Sequence, residues 1–88
     1  MGSRRRCGGI VVFAAAGEPG PARVAFVAGR SVGNAVRRNR AKRRLREALR
    51  LVEVPARHDY VVVATAAVVG APFGMLVEWT RQGVTEEE

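Results

Sequence analysis

The residues best equipped for chemistry lie in the run VGNAVRRNRAKRRLREALR, from Val32 to Arg50. Between Arg30 and Arg50 there are nine basic residues and a single acid, Glu47. Arginine presents a planar fork of five donors that suits phosphate oxygens and stacked bases. At helical spacing, Asn39, Arg40, Arg43, Arg46 and Arg50 fall on one side, with Ala41, Leu45, Ala48, Leu49 and Val52 opposite. The aliphatic stripe anchors the helix to a core and holds the cations in register for a polyanion. Asn39 is the neutral member of the strip. Its amide both donates and accepts, so it can read a base edge or a ribose hydroxyl where arginine only donates. Gly33 gives the chain a sharp entry, and Asn34 is a candidate N-cap. The expected RNA-facing set is Arg30, Asn34, Arg37, Arg38, Asn39, Arg40, Lys42, Arg43, Arg46 and Arg50.

A solvated charge run on a helix normally alternates signs to form local ion pairs. Here only Glu47 could pair, with Arg43, Arg46 or Arg50, so the strip is predicted to meet an external anion. The whole chain agrees, with 15 Lys and Arg against 8 Asp and Glu, a net charge of +7. A domain that basic is expected to meet a polyanion.

Catalytic and metal chemistry, by contrast, has little to work with. One His, one Cys and no cluster of acids leave general acid–base catalysis nowhere to assemble, and no catalytic residue, metal ligand or bound cofactor is expected. His58 beside Asp59 reads as a loop residue rather than a catalytic pair. Cys7, the lone cysteine, can make no internal disulfide. No apolar run reaches membrane-spanning length, and Ile10 to Ala16 after Arg4–Arg6 reads as a strand rather than a secretion signal. No membrane association and a cytoplasmic location are expected.

The elements that must position this helix can be read along the chain. Residues 1–8 are a basic, glycine-containing lead-in. Ile10 to Ala16 is β-branched and apolar, and Gly17-Glu18-Pro19-Gly20-Pro21 is a turn cluster. Ala22 to Ala28 follows as a second strand, with Val24, Phe26 and Ala28 on one face and Arg23, Ala25 and Val27 on the other. The two strands are predicted to form an antiparallel hairpin. The basic helix begins near Asn34 and ends at Pro55. Tyr60 to Val63 is a continuous apolar run typical of a central strand. A second helix opens at Gly70-Ala71-Pro72, is striped by Phe73, Leu76, Val77 and Thr80, and stops near Gly83. Met75 and Trp79 lie off that stripe and read as a second packed face. Residues 84–88 read as a frayed acidic tail. Residues 1–88 thus form a single RNA-binding domain of α+β class, a sheet of about three strands packed by two helices in the order β-β-α-β-α.

The same residues carry a resemblance. VGNAVRRNRAKRRLREALR is similar to the signature of the bacterial ribonuclease P protein subunit, an Arg-Asn-Arg core between a GNAV-type lead and a KRxLRE-type continuation. Arg38-Asn39-Arg40 match the core, Val32–Val36 the lead, and Lys42-Arg43 with Leu45-Arg46-Glu47 the continuation. Val24–Val27 resembles the strand before the motif and His58–Val63 the strand after it, so residues 9 to 80 are covered.

The resemblance implies a ribosomal-protein-like fold and a protein that is the non-catalytic component of a ribonucleoprotein endoribonuclease. The RNA subunit would hydrolyse the phosphodiester with its own bound magnesium. The protein would bind that RNA through the motif helix and the 5′ leader of precursor tRNA along a sheet face. Arg4, Arg5, Arg6, Phe13 and Tyr60 are the candidate leader-binding residues. Phe26 could also offer a ring, although its core-facing reading is favoured. Two departures stand out. The family's usual first helix has no counterpart here, since Gly2 to Arg6 resembles the basic loop that follows it. A lysine-rich stretch before the motif glycine is replaced by Gly29-Arg30-Ser31. The alternative reading, a general structured-RNA or ribosomal-type binder, accounts for the charge and helix but not for the ordered series of motifs. A DNA-binding helix lacks helix-turn-helix spacing, and a stand-alone nuclease lacks metal-ligating acids.

Overall fold

The computed structural model describes residues 2–85. Its elements in chain order are β1 (Ser3–Cys7), β2 (Ile10–Ala16), β3 (Arg23–Ala28), a 3₁₀ turn (Arg30–Val32), α1 (Ala35–Leu49), β4 (His58–Ala64), α2 (Ala67–Gly70) and α3 (Phe73–Val84). The α+β class is as expected from the sequence. The four strands form one sheet in the order β1-β2-β4-β3.

Two expectations about the sheet change. The lead-in is a strand: Ser3–Cys7 pairs antiparallel with β2, turning through Gly8-Gly9. Gly8 takes φ 56°, where a side chain is strained. A Cβ there would also sit 2.1 Å from Nε1 of Trp79. Trp79 thus packs a helix onto the hairpin turn, whereas Met75, one turn away, is exposed. Three arginines on an edge strand discourage further pairing.

The second change is that β2 and β3 do not form a hairpin. β4 inserts between them, antiparallel to β2 and parallel to β3, with α1 as the crossover. Parity and a turn cluster look the same whether two strands touch or a third comes between them. The β4 run Tyr60-Val61-Val62-Val63 is apolar throughout, as a central strand should be. The intervening loop is held from the far side. The Gly17 amide donates to the Arg57 carbonyl (2.8 Å), and the Arg57 amide donates to the Gly20 carbonyl (2.9 Å).

The register sorts every side chain to a face. Rows Ser3-Ala14-Tyr60-Val24, Arg5-Val12-Val62-Phe26 and Cys7-Ile10-Ala64-Ala28 face the helices. Rows Arg4-Phe13-Val61-Ala25 and Arg6-Val11-Val63-Val27, with Ala15-Asp59-Arg23, form the open face. The core lies on the helix side, where Ile10, Val12 and Val62 meet Leu45, Leu76, Val68 and Val84. Gly83 is not a stop but a close approach. It lies inside α3, and a Cβ there would be 2.4 Å from Cγ2 of Val12. α3 ends one residue later, with Thr85 as C-cap and Pro72 as N-cap. Val84 is buried and Thr85 caps the helix, so they are not part of a frayed tail; residues 86–88 lie outside the described residues.

Candidate nucleic-acid interface

α1 begins where the pattern places it but ends at Leu49 with Arg50 as its C-cap, six residues short of the expected stop at Pro55, so Val52 of the apolar stripe lies in the turn beyond the helix. Asn34 is its N-cap, and Oδ1 accepts from the Arg37 amide at 3.0 Å, satisfying one orphan donor of the first turn. Gly33, at φ 133°, leaves room for the Arg37 side chain, whose Nε donates to the Val32 carbonyl at 3.2 Å. Asn34 and Arg37 are thus partly engaged in building the helix start. Ala41, Leu45 and Ala48 are fully buried and Val52 follows them inward. The opposite side carries Asn39, Arg40, Arg43, Arg46 and Arg50, all exposed. Arg30 stands exposed on the 3₁₀ turn, while Arg38 and Lys42 flank the strip and are half-buried.

One cation of the run, Arg44, is tied to a neighbouring helix. Nη1 of Arg44 donates to the carbonyls of Val68 (2.6 Å) and Val69 (3.0 Å), and Nη2 donates to that of Ala71 (2.6 Å). Those carbonyls belong to the end of α2, where a helix leaves acceptors unpaired. Arg44 was not singled out by the sequence reading. Its position between the aliphatic stripe and the exposed strip is the signal that could have marked it.

The sheet supplies the other surface, and the candidate leader-binding residues divide between its faces. Arg4, Arg6 and Phe13 stand on the open face, where Phe13 is 42% exposed in a row between Arg4 and Val61. A shallow groove on this face is lined by Arg4, Phe13, Ala15, Asp59 and Val61. Arg5 and Tyr60 are on the wrong side for it. Arg5 points to the end of α3, donating to the carbonyls of Gln82 (2.5 Å) and Thr85 (2.9 Å). Tyr60 is only 4% exposed on the helix-covered face, its ring stacked on His58 at 5.8 Å. Strand parity accounts for both, since Arg5 and Tyr60 each sit one residue out of phase with the open rows.

His58 and Asp59 are strand residues rather than loop residues, and they project to opposite faces. His58 Nδ1 lies 2.8 Å from the Ala56 carbonyl, while Asp59 accepts a two-pronged pair from Arg23, Nε to Oδ1 at 2.9 Å and Nη2 to Oδ2 at 2.8 Å. Those hydrogen bonds, with the guanidinium charge, hold the Asp59 carboxyl below the ordinary carboxylate range. Burial raises the Cys7 thiol, which keeps it from acting as a thiolate. Among the described residues no group of three or more His, Cys, Asp or Glu is placed to hold a metal ion. Nor is any helix there long and apolar enough to cross a membrane.

A one-sided cationic helix laid over a four-stranded sheet, with a second open sheet face, defines a small basic α+β domain of nucleic-acid-binding character. Its sequence and fold then point to one family. The family model described as Ribonuclease P matches residues 1–86. The chain belongs to the ribonuclease P protein family.

It is 53% identical over 68 residues to the ribonuclease P protein component of Symbiobacterium thermophilum, covering 75% of this chain and 56% of that one. It is 49% identical over 63 residues to the corresponding component of Bartonella quintana, covering 68% and 47% of the two chains. The chain spans about half the length of these curated relatives. The RNase P protein from Thermotoga maritima, solved with 1-(4-fluorophenyl)-2-thiourea, superposes with a TM-score of 0.82 at 26% identity, covering 99% of this chain and 87% of that one. The Staphylococcus aureus RNase P protein shares the fold, with a TM-score of 0.76 at 21% identity, covering 93% and 77%.

Proposed function

We propose that this chain acts as the protein subunit of ribonuclease P, assisting the endonucleolytic maturation of tRNA 5′ ends. The observation that carries this reading is the exposed strip Asn39, Arg40, Arg43, Arg46 and Arg50, cations on a rigid helix whose opposite side is locked into the core. Such a strip meets phosphates at fixed spacing and adds an amide where a base edge or ribose can be read. Its partner is the catalytic RNA. The open sheet face, with Phe13 between apolar neighbours and Arg4 and Arg6 at its β1 edge, suits a single strand and would take the 5′ leader of precursor tRNA. The hydrolysis belongs to the RNA and its magnesium. Among the described residues no cluster of ligands is placed for that ion, and the part of this chain is to bind and orient. The setting is the cytoplasm.

The test is reconstitution with a bacterial ribonuclease P RNA, following precursor-tRNA cleavage at low magnesium. Added protein should raise the cleavage rate, and more for substrates with a leader of several nucleotides than for those with a minimal one. The isolated protein should cleave nothing. If it binds unrelated structured RNAs equally well and leaves cleavage unchanged, it is a general structured-RNA binder instead.

A further inference from the structure

The basic strip does not end in open solvent. Its last two arginines border a groove of about 260 Å³ lined by Phe26, Arg46, Leu49, Arg50 and Val54. Phe26 lies on β3, an edge strand of the sheet, in a row that faces the helices. Among the described residues no strand lies outside β3, and the end of α1 and the chain after it border the Phe26 ring, which is half-buried. The Arg46 guanidinium carbon sits 5.6 Å from the centre of that ring, at cation–π distance. Leu49 and Val54, also half-buried, supply an apolar floor continuous with the core.

Three features of this groove go beyond what packing requires. It combines an aromatic face, an apolar floor and two guanidiniums, the set of groups that together recognise a nucleotide. Arg46 and Arg50 form no ion pair among the described residues, whereas Arg23, on the same strand as Phe26, is neutralised by Asp59. The groove also continues the phosphate-facing strip, about 15 Å along the helix axis from Arg40. A carboxylate ligand would satisfy the cations and leave the ring and floor unfilled. A planar base with a phosphate attached satisfies all three.

We propose that this groove seats one unpaired nucleotide of a bound RNA, the base against Phe26 and Arg46 and the phosphate toward Arg50. The proposal rests on the reading of α1 as an RNA-binding helix. It adds a site on the helix-covered side of the sheet, separate from the open face. It also adds a requirement on the partner: an unstacked nucleotide beside the duplex or loop that α1 grips.

The experiment compares two RNA hairpins that differ only by one bulged adenosine, bound to the full chain and to Phe26→Leu, which keeps apolar bulk and removes the ring. The native chain should prefer the bulged hairpin by about tenfold, the effect of one stacked base. Phe26→Leu should lose that preference while binding the paired hairpin as before. Equal binding of both hairpins by the native chain would overturn the groove proposal alone, as would a folded Phe26→Leu that keeps the preference. Binding of neither hairpin would overturn the RNA-binding reading itself. Should Phe26→Leu not fold, titration of the native chain with adenosine 5′-monophosphate decides by NMR. Phe26 ring protons and the Arg46 Nε–H should shift with the nucleotide and not with ribose 5-phosphate; equal or absent shifts would remove the base from the groove.

Discussion

Arg44 donates from Nη2 to the Ala71 carbonyl at 2.6 Å, so one cation of the basic run is a tie between two helices rather than a donor held out to solvent. With its bonds to Val68 and Val69 it closes the end of α2 against the side of α1. Charge-assisted hydrogen bonds of this kind contribute about 1.5–3 kcal/mol, and their loss strands half-buried carbonyls. Arg44→Met, which keeps the stem, should therefore lower stability by about 2 kcal/mol and the melting temperature by about 10 °C. Arg43→Ala, one residue away on the exposed side, should shift it by no more than about 3 °C. Thermal melts followed by circular dichroism distinguish the two, and equal shifts would deny Arg44 its structural role.

The strip on α1 was fully legible because one helical period governs both the buried stripe and the exposed cations. Ala41, Leu45 and Ala48 could not be buried without exposing Arg40, Arg43 and Arg46. The partition of the sheet was less so. Alternation correctly put Val24, Phe26 and Ala28 on one face of β3, yet it carries no information about which strand lies alongside. The hairpin expected of β2 and β3 failed because their neighbour, β4, comes 30 residues after the end of β3, beyond the reach of any local signal. Tyr60 and Arg5 were misplaced for a related reason, since parity fixes alternation but not which phase faces the helices. Arg44 was hidden by composition: among so many arginines, nothing in its type distinguishes the one tied to α2.

Gly83 offers a direct measure of how tightly α3 sits on the sheet. An alanine there gains about 1 kcal/mol in helix propensity but drives its Cβ to within 2.4 Å of Val12. Overpacking costs about 1–3 kcal/mol, and Val12 is buried with little room to yield. Gly83→Ala should therefore destabilise by up to about 2 kcal/mol. Gly74→Ala in the same helix meets nothing within 4 Å and should stabilise by about 0.5–1 kcal/mol. Urea titrations of the two variants should move in opposite directions, and parallel shifts would mean that α3 can ride up off Val12.

The Arg23–Asp59 pair predicts a pH dependence with a definite sign. The hydrogen bonds from Arg23 hold the Asp59 carboxyl below its ordinary range, so the folded state binds a proton there less readily than the unfolded chain does. The stability it contributes is present above the ordinary carboxylate range and is lost as pH falls through the lowered value. The difference in melting temperature between the native chain and Asp59→Asn should thus be constant near neutrality and shrink in acid. Both partners are substantially exposed, so the difference should be small and reduced further by salt. A difference that grows as pH falls would contradict the assignment.

The exposed strip can be tested by the salt dependence of binding. Each phosphate contact releases condensed counterions, so log K falls with log salt by roughly 0.7 to 0.9 per contact. Arg40 and Arg43 are both exposed and lie on the side of α1 away from the core. Changing both to alanine removes two contacts and should flatten the slope for the catalytic RNA by roughly 1.4 to 1.8. Alanine is a good helix former, so the fold should survive with its circular dichroism unchanged. Asn39→Ala should behave differently, because an amide carries no charge. It should weaken binding with the slope intact, the mark of a contact to a base or ribose rather than to a phosphate. If the arginine pair leaves both slope and affinity unchanged while the protein remains folded, α1 does not face the RNA. If Asn39→Ala changes the slope as much as a lost arginine does, it acts through the positions of its neighbours, and the amide reads nothing itself.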